Sequence, residues 1–419
     1  MEQKITLGCV ADDFTGASDA ASFIVKSGLN TVLFNGTPLN DVDVSGFDAV
    51  VIALKTRSDE KNRAVVDSLN AFKWLENKGA THFYSKYCST FDSTREGNIG
   101  PILDSALEYF KEKYSVLCPA LPVNKRIVKN GKLYVDGVLL NESHMKNHPL
   151  NPMWDADIAK LMEPQSKYPC FNIDFNLMKK TEGEIFEKID SFGNGKEHFY
   201  IVPDYITDED GEKIAGFFGG MKVLSGGSGL LYHIGNRYNK LNAKKSEAVS
   251  SSSKGKAILL AGSCSKATLG QIESFKAGGY PSFKINPKAL LSGSQTMEDI
   301  WSFVEKAGDA MLLYSSDTAD NVKEAQKAGD VSKILEKTMA DLAKKAVDSG
   351  FKRIIVAGGE TSGAVTKALG YDAYVIGESI APGVPIMIPF GDRSMRVVLK
   401  SGNFGQIDFF ERAVNITGK

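Results

Sequence analysis

The stretch CVADDFTGASD, residues 9–19, is the most informative part of this sequence. The apolar residues that precede Asp12 are typical of a buried strand, and apolar side chains then recur at helical spacing from Ala17 to Val25. Asp12 and Asp13 therefore lie where a strand gives way to a helix. Ligands of open α/β sheets bind outside the carboxyl ends of the strands, so we expect both carboxylates to belong to a binding site.

A simpler explanation is that Asp13 or Thr15 only caps the following helix, as Asp and Thr often do. One cap needs one side chain, however, and the sequence provides two adjacent carboxylates. We therefore favour a functional role for the pair and keep the cap as the alternative.

The composition is that of a soluble protein with more than one core. The 419 residues are 42% hydrophobic and 24% charged, with a net charge of −1, and a chain of this length usually forms two domains. The near-neutral charge argues against a nucleic-acid partner bound by bulk charge. No apolar run reaches the roughly 18–20 residues that span a bilayer, and the first residues lack the apolar core of a signal peptide. We expect a cytoplasmic protein with no membrane partner.

Cysteine and histidine spacing does not indicate a metal site. The five cysteines are widely spaced, which predicts reduced and mostly buried thiols. Only His144 and His148 are separated by a helical turn, and Pro149 disfavours a continuous helix there. A hydrogen-bonding loop is the better interpretation.

A serine-rich stretch, residues 244–256, predicts the domain boundary because such runs bury little and behave as flexible connectors. We expect one domain at residues 1–245 and a second domain at residues 256–419. In both parts, apolar strands alternate with amphipathic helices. This alternation predicts an α/β fold with two domains, each a mostly parallel sheet flanked by helices. The active site is expected in the cleft between them.

Three successive predicted strands of the first domain end in charged residues. The first ends at Asp12, the next leads to Arg57, and the third leads to Lys86. Parallel strands place these side chains at one edge of the sheet. The intervening helix is expected to bury one side that includes Val66 and Phe72.

Hydroxyl-bearing residues surround Lys86 in the stretches KYCSTFDST (86–94) and GNIG (97–100). Such loops suit a small polyhydroxylated anion, although a solvated loop is the plain alternative. Arg57 and Lys86 are our candidates for binding the substrate carboxylate, and Asp92 and Asn98 for binding its hydroxyls.

The strongest phosphate signal is GGETSG, residues 358–363, which follows a buried strand and opens a helix. Helix N-termini present backbone N–H groups and a positive dipole end to phosphates. The glycine spacing matches the start of a Walker A motif, but Ala364 and Val365 replace its Lys and Ser/Thr, so it is not a standard P-loop. The chain contains no Gly-x-Gly-x-x-Gly, which weakens a dinucleotide interpretation.

Two similar turns, GSCS (262–265) and KSGNFG (400–405), occur in the same predicted domain. Three such turns suit a nucleotide cradle better than three unrelated helix caps. A nucleotide domain joined to a domain for a small acidic, hydroxylated substrate predicts phosphoryl transfer. Asp12 is our first candidate to accept the proton of the attacking hydroxyl or to hold Mg²⁺, and Asp13 is the second.

With these motifs in order along nearly the whole chain, the sequence resembles the four-carbon acid sugar kinases, in particular the 3-oxo-tetronate 4-kinase branch. One departure is the pair Lys125-Arg126 in the loop after Pro122, where a Gly-Arg pair is expected in that family. The stretches that carry the resemblance are CVADDFTGA (9–17), KYCSTFDST (86–94), GNIG (97–100), NHPLNPM (147–153), GGSG (226–229), AGSCS (261–265), GGETSG (358–363) and SGNFG (401–405).

The resemblance implies ATP and Mg²⁺ as cofactors, with no metal ligand assigned, and phosphorylation of the 4-hydroxyl of 3-oxo-tetronate. It implies a sugar-acid-binding domain at residues 1–245 and a nucleotide-binding domain at residues 256–419. It also implies a small sugar acid as partner and leaves a homodimer open. The residues that it implies for ATP contact are Ser263, Gly358, Gly359, Glu360, Thr361 and Gly402.

Three other functions stay open from the residues alone. The first is a D-threonate or D-erythronate 4-kinase, because a carbonyl and a hydroxyl are discriminated by few hydrogen bonds. The second is a non-catalytic sugar-acid-binding protein, which the paired acids and phosphate-type turns disfavour. The third is a nicotinamide-dependent oxidoreductase, which the missing glycine motif disfavours.

Overall fold

The computed structural model describes residues 6–148, 151–241, 250–316 and 331–419. The chain divides into two compact units, Met1–Glu247 and Ala248–Lys419. Each contains a mostly parallel sheet with helices, so the predicted α/β class with two domains is confirmed. Within the described residues, no helix is long and apolar enough to cross a membrane.

The first unit contains eight strands that pair in parallel in the order β2-β3-β1-β4-β11-β5-β10-β9, and a small antiparallel sheet, β6-β7-β8. Its strands are β1 Leu7–Ala11, β2 Thr31–Asn35, β3 Ala49–Ala53, β4 His82–Lys86, β5 Tyr114–Cys118, β6 Arg126–Lys129, β7 Lys132–Val135, β8 Val138–Leu139, β9 Cys170–Ile173, β10 Phe199–Pro203 and β11 Val223–Gly226. Its α-helices are α1 Phe14–Lys26, α2 Lys61–Asn77, α3 Ile99–Phe110, α4 Ile158–Met162, α5 Phe175–Met178, α6 Glu182–Gly193, α7 Asp208–Phe218 and α8 Gly229–Leu241.

Strands of the second unit follow the order β13-β14-β12-β15-β18-β17-β16, parallel from β13 to β18 and antiparallel from β18 to β16. They are β12 Ala257–Ala261, β13 Ser282–Lys284, β14 Ala310–Tyr314, β15 Arg353–Ala357, β16 Ala373–Ala381, β17 Val384–Pro389 and β18 Arg396–Lys400. The helices are α9 Lys266–Ala277, α10 Pro287–Ser292, α11 Met297–Lys306, α12 Val331–Asp348, α13 Gly359–Leu369 and α14 Phe409–Gly418.

The first four strands of each unit have the same relative order, β2-β3-β1-β4 and β13-β14-β12-β15. In the first unit, the chain leaves β1 towards β2 on one side and leaves β4 towards β5 on the other. The connections of β12 and β15 diverge in the same way. Such a divergence opens a crevice at the carboxyl ends of the two strands, which is where α/β sheets bind ligands. Each unit therefore has one such switch point, β1/β4 in the first and β12/β15 in the second.

Strands β1, β3, β12 and β15 each lie between two other strands of their sheets. All five residues of each of these strands are buried, as expected for parallel strands covered on both faces. Helix α2 differs from our expectation at one position, because Val66 is exposed while Phe72 is fully buried. Its buried stripe is narrower than the apolar pattern suggests.

The serine-rich stretch is not a loose connector throughout. Residues 244–249 lie outside the described residues, but Ser250–Ser253 are held by the second unit. The Arg396 guanidinium donates to the carbonyls of Ser250 and Ser252, and the Ser253 N–H donates to the Thr417 carbonyl. The hydroxyls of Ser251 and Ser253 also bond to the second unit, so backbone and side-chain contacts together tie this part of the stretch down.

The expectation for the cysteines is correct about oxidation and wrong about burial. All five thiols are free, but only Cys9 and Cys118 are buried, and Cys264 is exposed. His144 lies in a short 3-10 helix, which agrees with the loop interpretation. Pro149 lies outside the described residues.

A helical glycine of the first unit packs directly against the backbone of another segment. A Cβ on Gly100, the second residue of α3, would lie 2.6–2.7 Å from the backbone and Cβ of Gln165. Gln165 is itself buried and accepts a hydrogen bond from Ser93. Since backbone atoms cannot move aside cheaply, Gly100→Ala is expected to lower the free energy of unfolding by about 1–3 kcal/mol in urea titrations.

Gly183 provides the matched control for this prediction. It is also the second residue of its helix, α6, but a Cβ there meets no atom within 4 Å. Gly183→Ala should leave the stability unchanged or raise it by a few tenths of a kcal/mol. Equal stabilities for the two variants would contradict the packing argument.

Candidate functional site

A cluster of charged side chains occupies the β1/β4 switch point. Asp12 and Asp13 follow β1, Arg57 follows β3, and Lys86 is the last residue of β4. The Asp12 N–H donates to the Lys86 carbonyl at 3.1 Å, and the Asp12 carbonyl accepts from the Arg57 N–H at 3.3 Å. Backbone pairing thus continues past the strand ends and holds the three segments together.

Arg57 is the centre of the cluster because its guanidinium contacts three carboxylates. Its Nε and NH2 bind the two oxygens of Asp12 at 2.8 and 2.9 Å. NH2 also lies 3.0 Å from Asp13 Oδ1, and NH1 lies 3.4 Å from Asp92 Oδ2. Burial alone would lower the pKa of Arg57, but Asp12 and Asp13 outweigh it and raise this pKa well above its usual value. Arg57 is therefore always charged and largely occupied by protein groups.

Asp13 has two roles in the structure. Its Oδ1 accepts a hydrogen bond from the Gly16 N–H at 2.8 Å, so it caps α1, as the alternative interpretation proposed. Burial raises the pKa of Asp13, and the opposing effect of Arg57 does not cancel that rise. Its Oδ2 accepts no hydrogen bond from the described residues, and 32% of the side chain is exposed. Asp13 thus presents a free, accessible oxygen, whereas both oxygens of Asp12 are bonded to Arg57.

The loop that carries Asp92 has an unusual backbone. Phe91 and Asp92 have φ angles of 60° and 28°, which are costly for residues other than glycine. Phe91 is fully buried, and Asn151 Nδ2 donates to the Asp92 carboxylate at 3.0 Å and to its carbonyl at 3.3 Å. These contacts hold Asp92 towards Arg57 despite the strain, which is typical of a functional loop.

Asn98 is less available than we expect from the sequence. Its Nδ2 donates to the carbonyls of Thr56 and Asp59 at 2.7 and 2.9 Å, which ties down the segment around Arg57. Only its Oδ1 has no hydrogen-bond partner within the described residues, and this atom is buried. Asn98 lines a cavity with Asp12, Arg57 and Asp92. It therefore can reach a ligand only through one acceptor oxygen.

Lys86 belongs to the site through its charge rather than through an exposed amine. It is 3% exposed, and its Nζ donates to the Tyr87 carbonyl at 2.9 Å. A Cβ on Gly16 would overlap Asp13 Oδ1 and lie 3.1 Å from this Nζ, so the glycine leaves room for both side chains beside α1. The ammonium stabilises the ionised form of Asp13.

Sequence reasoning missed Asp19, which lies beside Lys86 and Ser228. Burial raises the pKa of Asp19, with Lys86 opposing, and Asp19 Oδ1 has no hydrogen-bond partner within the described residues. The sequence offered a signal, because Asp19 is the one charged residue in a stretch of small and apolar residues from Ala17 to Val25.

Removing the Arg57 cation should expose the mutual repulsion of the acids. Arg57→Gln leaves Asp12, Asp13 and Asp92 without their shared partner, and removing one member of such a buried pair typically costs about 3–5 kcal/mol. The folded pKa of Asp13 is already raised, so the folded state gains stability as pH falls through it. We therefore expect the deficit, measured by urea unfolding, to be largest at neutral pH and smaller in acid.

Arg63→Gln is the control for this prediction. Arg63 pairs with Asp59 and Asp67 but is 72% exposed, and exposed pairs contribute little. It should unfold like the wild type at every pH. A pH-independent deficit for Arg57→Gln would contradict an electrostatic origin.

Three turns meet at the β12/β15 switch point of the second unit. The Gly262 N–H donates to the Ala357 carbonyl, and the Gly358 N–H donates to the Lys400 carbonyl, both at 2.9 Å. A Cβ on Gly402 would overlap Ser263 Oγ, and a Cβ on Gly262 would overlap Thr361 Oγ1. The backbones approach this closely only because both positions are glycine.

The N-terminus of α13 completes this arrangement. Gly358 has a φ of 128°, a conformation that side chains disfavour, and α13 begins at Gly359. Hydrogen bonding of the helix starts with Ser362, whose N–H donates to the Gly358 carbonyl. The N–H groups of Gly359, Glu360 and Thr361 are therefore available to an anion. All six residues expected at a nucleotide site are in the three turns, and Ser263, Gly358, Thr361 and Gly402 are in close proximity.

Comparison with known proteins agrees with this division of roles. A model of a sugar-binding N-terminal domain matches residues 7–234, and a model of a nucleotide-binding C-terminal domain matches residues 258–410. A 3-oxo-tetronate kinase of Brucella melitensis is 40% identical, over 99% of this chain and 96% of its own. The chain belongs to the four-carbon acid sugar kinase family.

Two further similarities extend over nearly whole chains. A 3-oxo-tetronate kinase of Haemophilus influenzae is 40% identical over 97% of this chain and 98% of its own. The crystal structure of a Haemophilus influenzae protein superposes with a TM-score of 0.84 at 39% identity, over 97% of this chain and 99% of the other. Membership in the four-carbon acid sugar kinase family makes this protein an enzyme, a kinase with a nucleotide and a small molecule as substrates.

Proposed function

We propose that this kinase transfers the γ-phosphoryl group of ATP to the 4-hydroxyl of 3-oxo-tetronate. The observation that carries the proposal is that several relatives, each named 3-oxo-tetronate kinase, are 36–40% identical over at least 97% of the chain. The acidic cluster of the first unit and the phosphate-type turns of the second unit support it. They provide the two kinds of chemistry that a sugar-acid kinase needs.

The nucleotide is assigned to the three turns of the second unit. The N–H groups at the start of α13 suit the phosphates, since a helix N-terminus combines unpaired donors with a positive dipole end. Ser263 contributes a hydroxyl beside Gly402. The residues proposed for ATP contact are Ser263, Gly358, Gly359, Glu360, Thr361 and Gly402.

The sugar acid is assigned to the charged cluster of the first unit, with Asp13 as the general base. Asp13 has an accessible oxygen to which no described residue donates a hydrogen bond, and its raised pKa makes it a better proton acceptor than an ordinary carboxylate. Asp12 becomes a positioning residue, because both its oxygens hold Arg57. This reverses the order that the sequence suggested for the two acids.

The remaining side chains bind and orient the substrate. Arg57 NH1 makes the longest contact of the guanidinium, 3.4 Å to Asp92, and is the group proposed to reach the substrate carboxylate. Asp92 and Asn98 Oδ1 are acceptors for substrate hydroxyls. The positive charge of Lys86 opposes the rise that burial causes in the pKa of Asp13.

In the proposed reaction, the 4-hydroxyl oxygen attacks the γ-phosphorus, and the bond from that phosphorus to the ADP oxygen breaks. The hydroxyl proton passes to Asp13 Oδ2. The N–H groups of α13 stabilise charge on the phosphates as it shifts towards ADP.

Mg²⁺ is assigned to the nucleotide rather than to a resident protein site. Within the described residues, no three acidic, histidine or cysteine side chains form a group that could hold a metal ion. Asp12 and Asp13 are engaged by Arg57, which disfavours a cation between them. Mg²⁺ binds ATP-dependent enzymes largely through substrate phosphates, with one or two carboxylates, and supplies charge neutralisation there.

The substrate is tested by ADP release from the purified protein with Mg-ATP and a panel of four-carbon acids. The panel contains 3-oxo-tetronates generated in situ, D- and L-threonate, and D-erythronate. Turnover with the oxidised acids alone is expected. Turnover only with the unoxidised acids would support kinase activity but contradict the assigned substrate. No turnover by folded protein would contradict the proposal as a whole.

The base is tested by the pH dependence of kcat/KM. A base must be ionised, so the rate should fall as pH drops through the raised pKa of Asp13. Asp13→Asn should lose roughly 10²–10⁴-fold in kcat and lose this acidic limb. Asp12→Asn should change KM more than kcat and keep the limb. An Asp13→Asn variant with near-normal kcat would remove Asp13 from the role.

A further inference from the structure

A lysine that no proposed step uses is enclosed beneath the nucleotide turns. Lys400 is the last residue of β18 and is only 1% exposed. Its Nζ donates to Thr268 Oγ1 and to the Gly402 carbonyl at 2.9 Å, and to the Ser401 carbonyl at 3.2 Å. Phe409 covers it with its ring centroid 5.6 Å away. All three protons of the ammonium therefore point to neutral oxygens.

No acid within the described residues neutralises this buried charge. The elements around Lys400 are β15, β17, α9, α13 and α14, and none carries a group that acts electrostatically on it; burial lowers the pKa of Lys400 to about 8. Glu411 accepts from Ser274, Glu273 pairs with Lys276, and Glu360 is exposed. The ionisable residues of these elements and of β18 are Arg353, Lys266, Glu273, Lys276, Glu360, Lys367, Glu411, Arg412 and Arg396.

An unpaired buried charge is costly, so its position calls for an explanation. Arg353 and Arg396 lie at the opposite ends of their strands and bind backbone carbonyls there. Lys400 lies at the carboxyl end instead, at the start of the 400–405 turn, one of the three turns assigned to the nucleotide. The Gly402 carbonyl accepts from Lys400, Thr268 and Ser265 together, so the ammonium is joined to that turn by hydrogen bonds.

We propose that Lys400 is the counter-charge of the nucleotide phosphates and that nucleotide binding keeps its amine protonated. The negative phosphates supply the counter-charge that no described acid provides near Lys400. The attraction between the phosphates and the ammonium is strong because the surroundings have a low dielectric constant. The inference rests on the proposed assignment of the nucleotide to these turns. It adds a positioning residue at the start of the 400–405 turn, whose buried side chain is not among the ATP contacts proposed above.

The proposed role of Lys400 makes nucleotide affinity depend on pH in a definite direction. In the free protein, the ammonium loses its proton near pH 8. Phosphates raise that value in the complex, because they favour the charged form. Nucleotide affinity is thus full below about pH 8 and falls by up to tenfold per unit as pH rises above it.

The test is the dissociation constant of ADP, measured by calorimetry from about pH 7 to about pH 10, where a phosphate with a last pKa of about 6 stays fully ionised. For the wild type, the affinity is expected to fall at least about tenfold across this range. Proton uptake on binding should accompany it near pH 8 and should be visible in buffers of different ionisation enthalpy. Adenosine, which lacks phosphates, should bind with no such dependence.

Lys400→Met separates electrostatics from packing. Methionine fills similar space without charge, and the Gly402 carbonyl keeps two donors. ADP affinity at pH 7 should fall at least about tenfold and become independent of pH, while adenosine affinity and the melting temperature without ligand stay the same or rise. Lys400→Arg keeps the charge throughout and should bind ADP with a flat profile.

The binding results can contradict the role of Lys400 and the nucleotide site separately. If the wild type binds ADP with an affinity that does not depend on pH, the proposed role of Lys400 is wrong, but the nucleotide site is unaffected. Equal losses of ADP and adenosine affinity in Lys400→Met, with a lower melting temperature, also overturn it in favour of a structural role. Failure of the wild type to bind ADP at any pH contradicts the nucleotide site and this inference with it. If neither variant folds, the wild-type profiles of ADP and adenosine decide.

Discussion

The divergence of the strand connections at β1/β4 and β12/β15 is the constraint on which the rest of this protein depends. Parallel strands joined by right-handed crossovers leave their carboxyl ends open wherever neighbouring connections leave in opposite directions. The polar residues of the first unit and the glycine turns of the second unit lie at these ends. Every side chain to which we assign a function follows one of these strands or contacts one that does.

The two switch points use their buried cations in opposite ways. Arg57 is surrounded by Asp12, Asp13 and Asp92, and the planar guanidinium suits several carboxylates at once. Lys400 has neutral partners only. A paired cation organises acids that then handle hydroxyls and protons. An unpaired cation is free to attract an anionic ligand, which is the role that we propose for Lys400 at the nucleotide site.

Local sequence explains a large part of the fold. The apolar runs at β1, β3, β12 and β15 are long enough and flanked by suitable turn residues, and their strands form where expected. The three phosphate-type turns can also be recognised from the sequence, since strand, glycine and helix follow one another in the chain. Val66 was misjudged because helical spacing does not give the width of the buried face. The repeated strand order of the two units has no counterpart that the sequence reveals, because topology does not require similar residues.

The sequence alone determined the α/β class, the two domains, the presence of Asp12, Asp13, Arg57 and Lys86 at strand ends, and the family. All of these depend on residue patterns that are local or are matched along the chain. Only the tertiary structure decided which acid is free, because Arg57 comes from a distant segment and occupies Asp12 rather than Asp13 Oδ2. It also decided that Asp19 and Lys400 are buried without full compensation. Burial and ion pairing are properties of residues far apart in sequence, so no local pattern specifies them.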